Sequence, residues 1–195
     1  MSPGNVAVYH GSKMKVIDRR VRVTELLLRC SISCLSLLAL LLVVTDTQVK
    51  QIFTIEKKAK YTDMKALVFL VAANGIAAVY SLLQSVRCVV GSVKGSVLFS
   101  KPLAWAIFSG DQAIAYLSVA AIAAAAESGV FAMEGEDDLQ WMKLCNMYGK
   151  FCNQMAVGVA SALFAAVAMV FVSCISAFSL FRLYGANKDR RTAPW

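Results

Sequence analysis

Histidine is almost absent from this chain: His10 is the one copy in 195 residues. Walker A, G-x-S-x-G, H-E-x-x-H and C-x-x-C patterns are missing as well. That leaves no phosphate-cradling loop, no serine nucleophile elbow, no zinc-protease helix and no redox dithiol. None of Asn5, Asn74, Asn146, Asn153 and Asn187 opens an N-x-[ST] sequon, so N-glycosylation is not expected. The first 20 residues are polar and basic, without the apolar core and small-residue cleavage site of a secretory signal. The first apolar run is therefore expected to remain as a signal anchor. Charge is scarce too, at 16% of residues, less than the surface of a soluble domain of this length requires. No catalytic constellation is visible; the expectation is a protein that is not an enzyme and uses no metal or cofactor.

What the chain does have is apolar sequence. It is 58% hydrophobic, with a mean hydropathy of +0.62. Four runs stand out: Leu26–Val44, Ala66–Val86, Leu103–Ala126 and Val157–Phe178. Each is near or above the ~20 residues that carry a helix across ~30 Å of hydrocarbon. The expected fold is an all-α membrane protein, a four-transmembrane-helix bundle filling residues 26–180, with tails at 1–25 and 181–195. The longest connector is Glu127–Met155. Pro102 stands just before the third run, where its missing N–H costs nothing. Gly91–Ser96 reads as a flexible turn, and Glu134–Asp138 as an acidic loop.

The net charge of +8 does not point to nucleic acid, because the basic residues flank apolar runs, where they set topology and meet anionic lipid. Twelve lysines and arginines fall in the two tails and the middle loop, against seven in the first and last loops. Both termini and the middle loop are therefore expected in the cytoplasm. The five lysines of the first loop are an untidy exception.

Two charges lie inside the apolar runs: Arg29 in the first and Asp111 in the third. Charge in hydrocarbon is expensive and marks a partner or a cavity. Both helices run in the same direction, with Arg29 roughly 5 Å and Asp111 roughly 12 Å deep at ~1.5 Å per residue. An arginine side chain covers most of that difference, so an Arg29–Asp111 pair across the bundle is expected. The alternatives for Arg29 are snorkelling to the headgroups or pairing with Glu25 four residues earlier. Asp111 is too deep to snorkel, and its alternative is an ion or proton site.

Asn74, Ser81, Gln84 and Gln112 are the other polar residues of the spans, expected to hydrogen-bond neighbouring helices. Gly158, Ala162 and Ala166 repeat at spacing four in the last span, with Ser161 and Ala165 beside them. Such a stripe lets helices approach closely, within one chain or between copies. Cys145 and Cys152 share the last loop, on the oxidising side. Seven residues of straight helix would part them by ~10.5 Å, beyond the ~7 Å limit for a disulfide. A bridge therefore needs a bend, and Gly149 allows one. Cys30, Cys34 and Cys174 read as small apolar residues. Cys88, at the cytoplasmic end of the second span, is a candidate for palmitoylation.

Several segments together resemble the plant CASP-like family, relatives of the Casparian strip membrane domain proteins and similar to the MARVEL group. They are Glu25-Leu26-Leu27-Leu28-Arg29, Ala72-Ala73-Asn74-Gly75, Tyr80-Ser81-Leu82-Leu83-Gln84, Gly110-Asp111-Gln112-Ala113-Ile114-Ala115-Tyr116 and Gly149-Lys150-Phe151-Cys152. The resemblance covers about residues 20–184 and is greatest to the second CASP-like subgroup. It places the family's intramembrane arginine and aspartate at Arg29 and Asp111, and its loop cysteines at Cys145 and Cys152. It implies a plasma-membrane scaffold that assembles with itself and related four-span proteins into membrane domains, with membrane lipid and cell-wall enzymes as further partners. A small transporter or channel using Asp111 is the alternative. The lysine-rich segment Thr45–Lys65 lacks the distinctive first loop of strip-forming members, which sets this chain apart from them.

Overall fold

A computed structural model describes residues 3–52, 55–93, 101–135 and 143–191. The four expected spans are present as long helices. Helix α1 covers Pro3–Thr45, α2 Lys65–Val93, α3 Lys101–Glu134 and α5 Gly149–Arg191. Their apolar portions, Arg20–Thr45, Lys65–Gly91, Pro102–Glu134 and Gly149–Arg182, are longer than the apolar runs of the sequence. At ~1.5 Å per residue the shortest spans ~39 Å. With four spans, both termini lie at one end of the bundle.

The helices exceed their expected bounds because a polar residue ends an apolar count without ending a helix. The expected N-terminal tail at 1–25 is helical from Pro3, continuous with the first span. The C-terminal tail continues α5 as far as Arg191. Gly91–Val93, expected in a turn, form the last residues of α2, while 94–96 lie outside the described residues. Most of the acidic loop, 136–138, lies outside them too. Helix α3 ends at Gly135, whose φ of 72° and N–H bond to the Phe131 carbonyl (3.0 Å) suit a residue without Cβ.

The segment between the first two spans is not a plain loop. Thr47–Ile52 (β1) and Ile55–Lys60 (β2) pair antiparallel, in register from Thr47 opposite Lys60 to Ile52 opposite Ile55. β-Branched Thr47, Val49, Ile52 and Ile55 favour the extended chain. The Gln48 side-chain carbonyl accepts from the Phe151 N–H (3.0 Å), one of the donors left open in the first turn of α5. The hairpin is thereby tied to the fourth span. A one-turn helix, α4 (Leu144–Met147), precedes α5.

Small residues bring the spans together. A Cβ on Gly158 would stand 2.8 Å from Val43 Cγ2, so α5 meets α1 closely only because that position is glycine. Ala162, Ala165 and Ala166 are buried along the same helix. The small-residue stripe thus packs inside the monomer, with Gly158 against α1. Gln154 Nε2 donates to the Leu42 carbonyl (2.9 Å) across the same pair. The main apolar core lies toward the hairpin end, where Ala39, Val43, Leu67, Leu70, Phe151 and Met155 pack together. A second cluster, Ile32, Ala115, Met169 and Val172, lies nearer the termini.

Candidate functional site, a buried charge network

Arg29 and Asp111 meet, and neither exposes any surface. Arg29 Nη1 donates to Asp111 Oδ1 (3.0 Å) and Nη2 to Oδ2 (2.9 Å), a two-pronged contact suited to the planar guanidinium. The two alternatives for Arg29 are not exclusive. Its Nε donates to Glu25 Oε1 (3.0 Å), so one guanidinium serves both carboxylates. Glu25 in turn stands 3.5 Å from Arg87 Nη2, and Arg87 Nε donates to Gln84 Oε1 (2.6 Å). The charges alternate from Asp111 through Arg29 and Glu25 to Arg87. They run from fully buried to partly exposed toward the end that carries the termini.

Two further residues complete the site. The Tyr80 hydroxyl donates to Asp111 Oδ1 (2.9 Å), and Ser176 Oγ donates to Asp111 Oδ2. Asp111 therefore accepts from α1, α2 and α5 while standing on α3, and its roughly four acceptor positions are filled. Gly110 makes room for this. A Cβ there would lie 2.6 Å from the Tyr80 hydroxyl oxygen and 3.2 Å from the ring. Neither Tyr80 nor Ser176 was singled out as a site residue from sequence. The available signal was Tyr80 itself, because a phenol in mid-span needs a partner for its hydroxyl.

The other polar residues of the spans behave differently from expectation. Asn74 Nδ2 donates to the Leu70 carbonyl (2.9 Å), one turn back in its own helix, not to a neighbour. A short amide reaches its own backbone more readily than a helix across a gap. Gln84 likewise serves Arg87 on its own helix. Ser81 Oγ is buried without a partner among the described residues. Ser33 does cross between helices, to the Ala78 carbonyl (3.4 Å). Cys88 is half-buried beside Arg87.

At the opposite end, Cys145 and Cys152 form a disulfide with Cα atoms 5.6 Å apart. The bend that permits it lies at Tyr148, between α4 and α5, whose φ of −119° and ψ of 52° leave the helix. Gly149 was the expected hinge, but it begins α5 and the break falls one residue earlier. Nearby, the Asp46 carboxylate is buried at the foot of the hairpin, with Oδ2 unpartnered among the described residues. Burial pushes its carboxyl up to about 6, with Lys150 pulling the other way. Among the described residues, no three His, Cys, Asp or Glu side chains group as metal ligands.

Four apolar spans cross-tied by buried charge define a multi-pass membrane protein. Residues 18–168 match the family described as the Casparian strip membrane protein domain. The chain is 82% identical over 182 residues to the CASP-like protein 2B1 of Arabidopsis thaliana, spanning 93% of this chain and all of the relative. It is 71% identical to CASP-like protein 2B1 and 70% identical to CASP-like protein 2B2 of Populus trichocarpa, each over 100% of this chain and 96% of the relative. No solved structure matches. The chain belongs to the plant CASP-like family, in its second subgroup.

Proposed function

We propose that this protein is a plasma-membrane scaffold with both termini in the cytoplasm. It associates laterally with copies of itself and with related four-span proteins, and the resulting membrane domains organise partners that act on the cell wall. The observation that carries this reading is the saturation of Asp111. Its acceptor positions are filled by donors from the other three spans. A carboxylate so engaged has no position left for a passing ion, and it holds the bundle in one arrangement. The alternating charges cancel, which suits a fixed structural tie better than a carrier. The 12-to-7 basic bias supports the assigned orientation.

The test is paired. Photobleaching recovery in cells should show slow, patchy movement, and crosslinking should capture oligomers. Liposomes holding the purified chain should conduct no ions. Fast, uniform monomer diffusion removes the scaffold reading. An ion flux abolished by Asp111→Asn, in a variant that still folds, would put a transporter in its place.

A further inference from the structure

At the hairpin end, a half-enclosed cavity of about 470 Å³ lies between β2, α3, α4 and the start of α5. Packed interiors hold few voids larger than one water, so this is no packing defect. Its size falls within the ~300–1,000 Å³ of small-molecule sites. Met64, Ala132, Leu144, Tyr148, Phe151 and Met155 supply apolar walls. Water finds few partners on such a surface, and apolar cavities take apolar guests. The thioethers of Met64 and Met155 can adapt to a flexible guest.

One wall is polar. Lys58, Ala59 and Lys60 bring β2 to the cavity, and both lysines are exposed. The Lys60 N–H donates to Asp63 Oδ2 (3.0 Å), so it faces away from β1. In an antiparallel ladder, residues two apart turn their N–H groups the same way. The Lys58 N–H therefore also faces the free edge of β2. Asp63 also lines this wall, but its carboxylate is engaged by the Lys60 N–H, so two lysines and the Lys58 N–H outweigh it and leave a place suited to an oxyanion. The cavity lies at the level where the apolar spans begin and end, at Lys65, Glu134 and Gly149. That level is the expected membrane boundary of the bundle, where chain-bearing molecules are concentrated.

We propose that this cavity binds a single-chain amphiphile with an oxyanion head. The chain lies among Met64, Ala132, Phe151 and Met155, and the head lies at the free edge of β2 beside Lys58 and Lys60.

The test uses the full chain in phosphatidylcholine nanodiscs, with palmitate displacing a dansylated undecanoate. Palmitate should displace the probe at least tenfold more effectively than hexadecanol, which has the chain without the charge. Leu144→Trp, which fills one wall, should weaken palmitate at least tenfold. Lys58→Ala with Lys60→Ala should weaken palmitate severalfold and leave hexadecanol unchanged. Stronger displacement by lysophosphatidate than by palmitate sustains the assignment and places the source among phospholipids. Equal displacement by hexadecanol overturns it. So does unchanged palmitate binding in a Leu144→Trp protein that keeps its melting temperature and its Cys145–Cys152 bridge. Should Leu144→Trp fail to fold, a photoreactive palmitate on the wild-type chain decides. Adducts on Met64 or Met155 support the site, and adducts confined to lipid-facing residues such as Phe164 overturn it.

Discussion

Asp111 is a carboxylate in hydrocarbon that lacks nothing it needs. Removing it would leave the buried Arg29 with Glu25 alone, so the loss should approach, without reaching, the about 3–5 kcal/mol of a fully uncompensated buried charge in soluble proteins. Asp111→Ala is expected to reduce folding and surface delivery well below Asp111→Asn, which keeps one acceptor. Adding Arg29→Ala to Asp111→Ala should restore part of the loss. Surface levels and thermal stability of the three variants measure it, and equal levels for Asp111→Ala and wild type would refute the pair's importance. Tyr80→Phe removes one bond to a charged group, a loss of about 1.5–3 kcal/mol. Gly110→Ala should cost more, because its Cβ meets the tyrosine oxygen and the ring. In a Tyr80→Phe background the same change should cost less, as a double-mutant cycle in thermal stability would reveal. Arg29 and Asp111 were legible in the sequence because charge is conspicuous in an apolar run. Tyr80 and Ser176 were not, because a hydroxyl in a span has partners on its own helix as often as across the bundle.

Helix α3 depends most on these bonds. In its most apolar window 17% of residues are buried, against 33–44% in the other three spans. Its packing rests on small side chains such as Ala115, Ala121 and Ala125, which bury little area each, so the bonds of Asp111 add weight in fixing α3. The four helices themselves were legible, because length and apolarity suffice to find them. Their ends were not, since the polar residues next to each apolar run continue the helix, and α3 stops only at Gly135, nine residues past its run. The hairpin was hidden by lysines, which are poor strand signals. It brings a pH dependence of its own. Asp46 holds its proton up to about pH 6 when folded, against about 3.9 unfolded. Its contribution is therefore most favourable below about pH 4, weakens as pH rises to about 6, and is level above that. The slope amounts to ~1.4 kcal/mol per unit of difference. Asp46→Asn should flatten the melting temperature between pH 4 and 6 and raise it at pH 7. A slope unchanged in that variant would assign the dependence elsewhere.

For the molecule as a whole, packing narrows where copies can meet. Gly158 is closed off by α1, and Ala162 and Ala166 are buried within the monomer, so none of the three is available to another chain. Sequence alone left that choice open, because a small-residue stripe reads the same within and between chains. Any lateral contact must use the outward faces, and three free thiols report on them. Cys30 and Cys34 are exposed on α1, and Cys174 on α5. If the chain self-associates through α5, membrane oxidation should yield a dimer that Cys174→Ser abolishes and the double Cys30→Ser, Cys34→Ser variant leaves intact. The reverse pattern would assign the contact to α1. A dimer insensitive to all three would remove both faces from the interface.

The sequence separation of 82 between Arg29 and Asp111 also sets an order of events on the ribosome. At about 5–20 residues per second, the first span waits roughly 4–16 s before its partner has been made. During that interval Arg29 must enter the bilayer without Asp111. Glu25, one turn away on the same helix, is already present and close enough to serve as an interim counterion. Glu25→Ala should therefore impair insertion of the nascent first span in a translocation assay more than it lowers the melting temperature of the finished bundle. On this view the near end of the network is a chaperone in cis, holding a charge in readiness until the rest of the protein arrives.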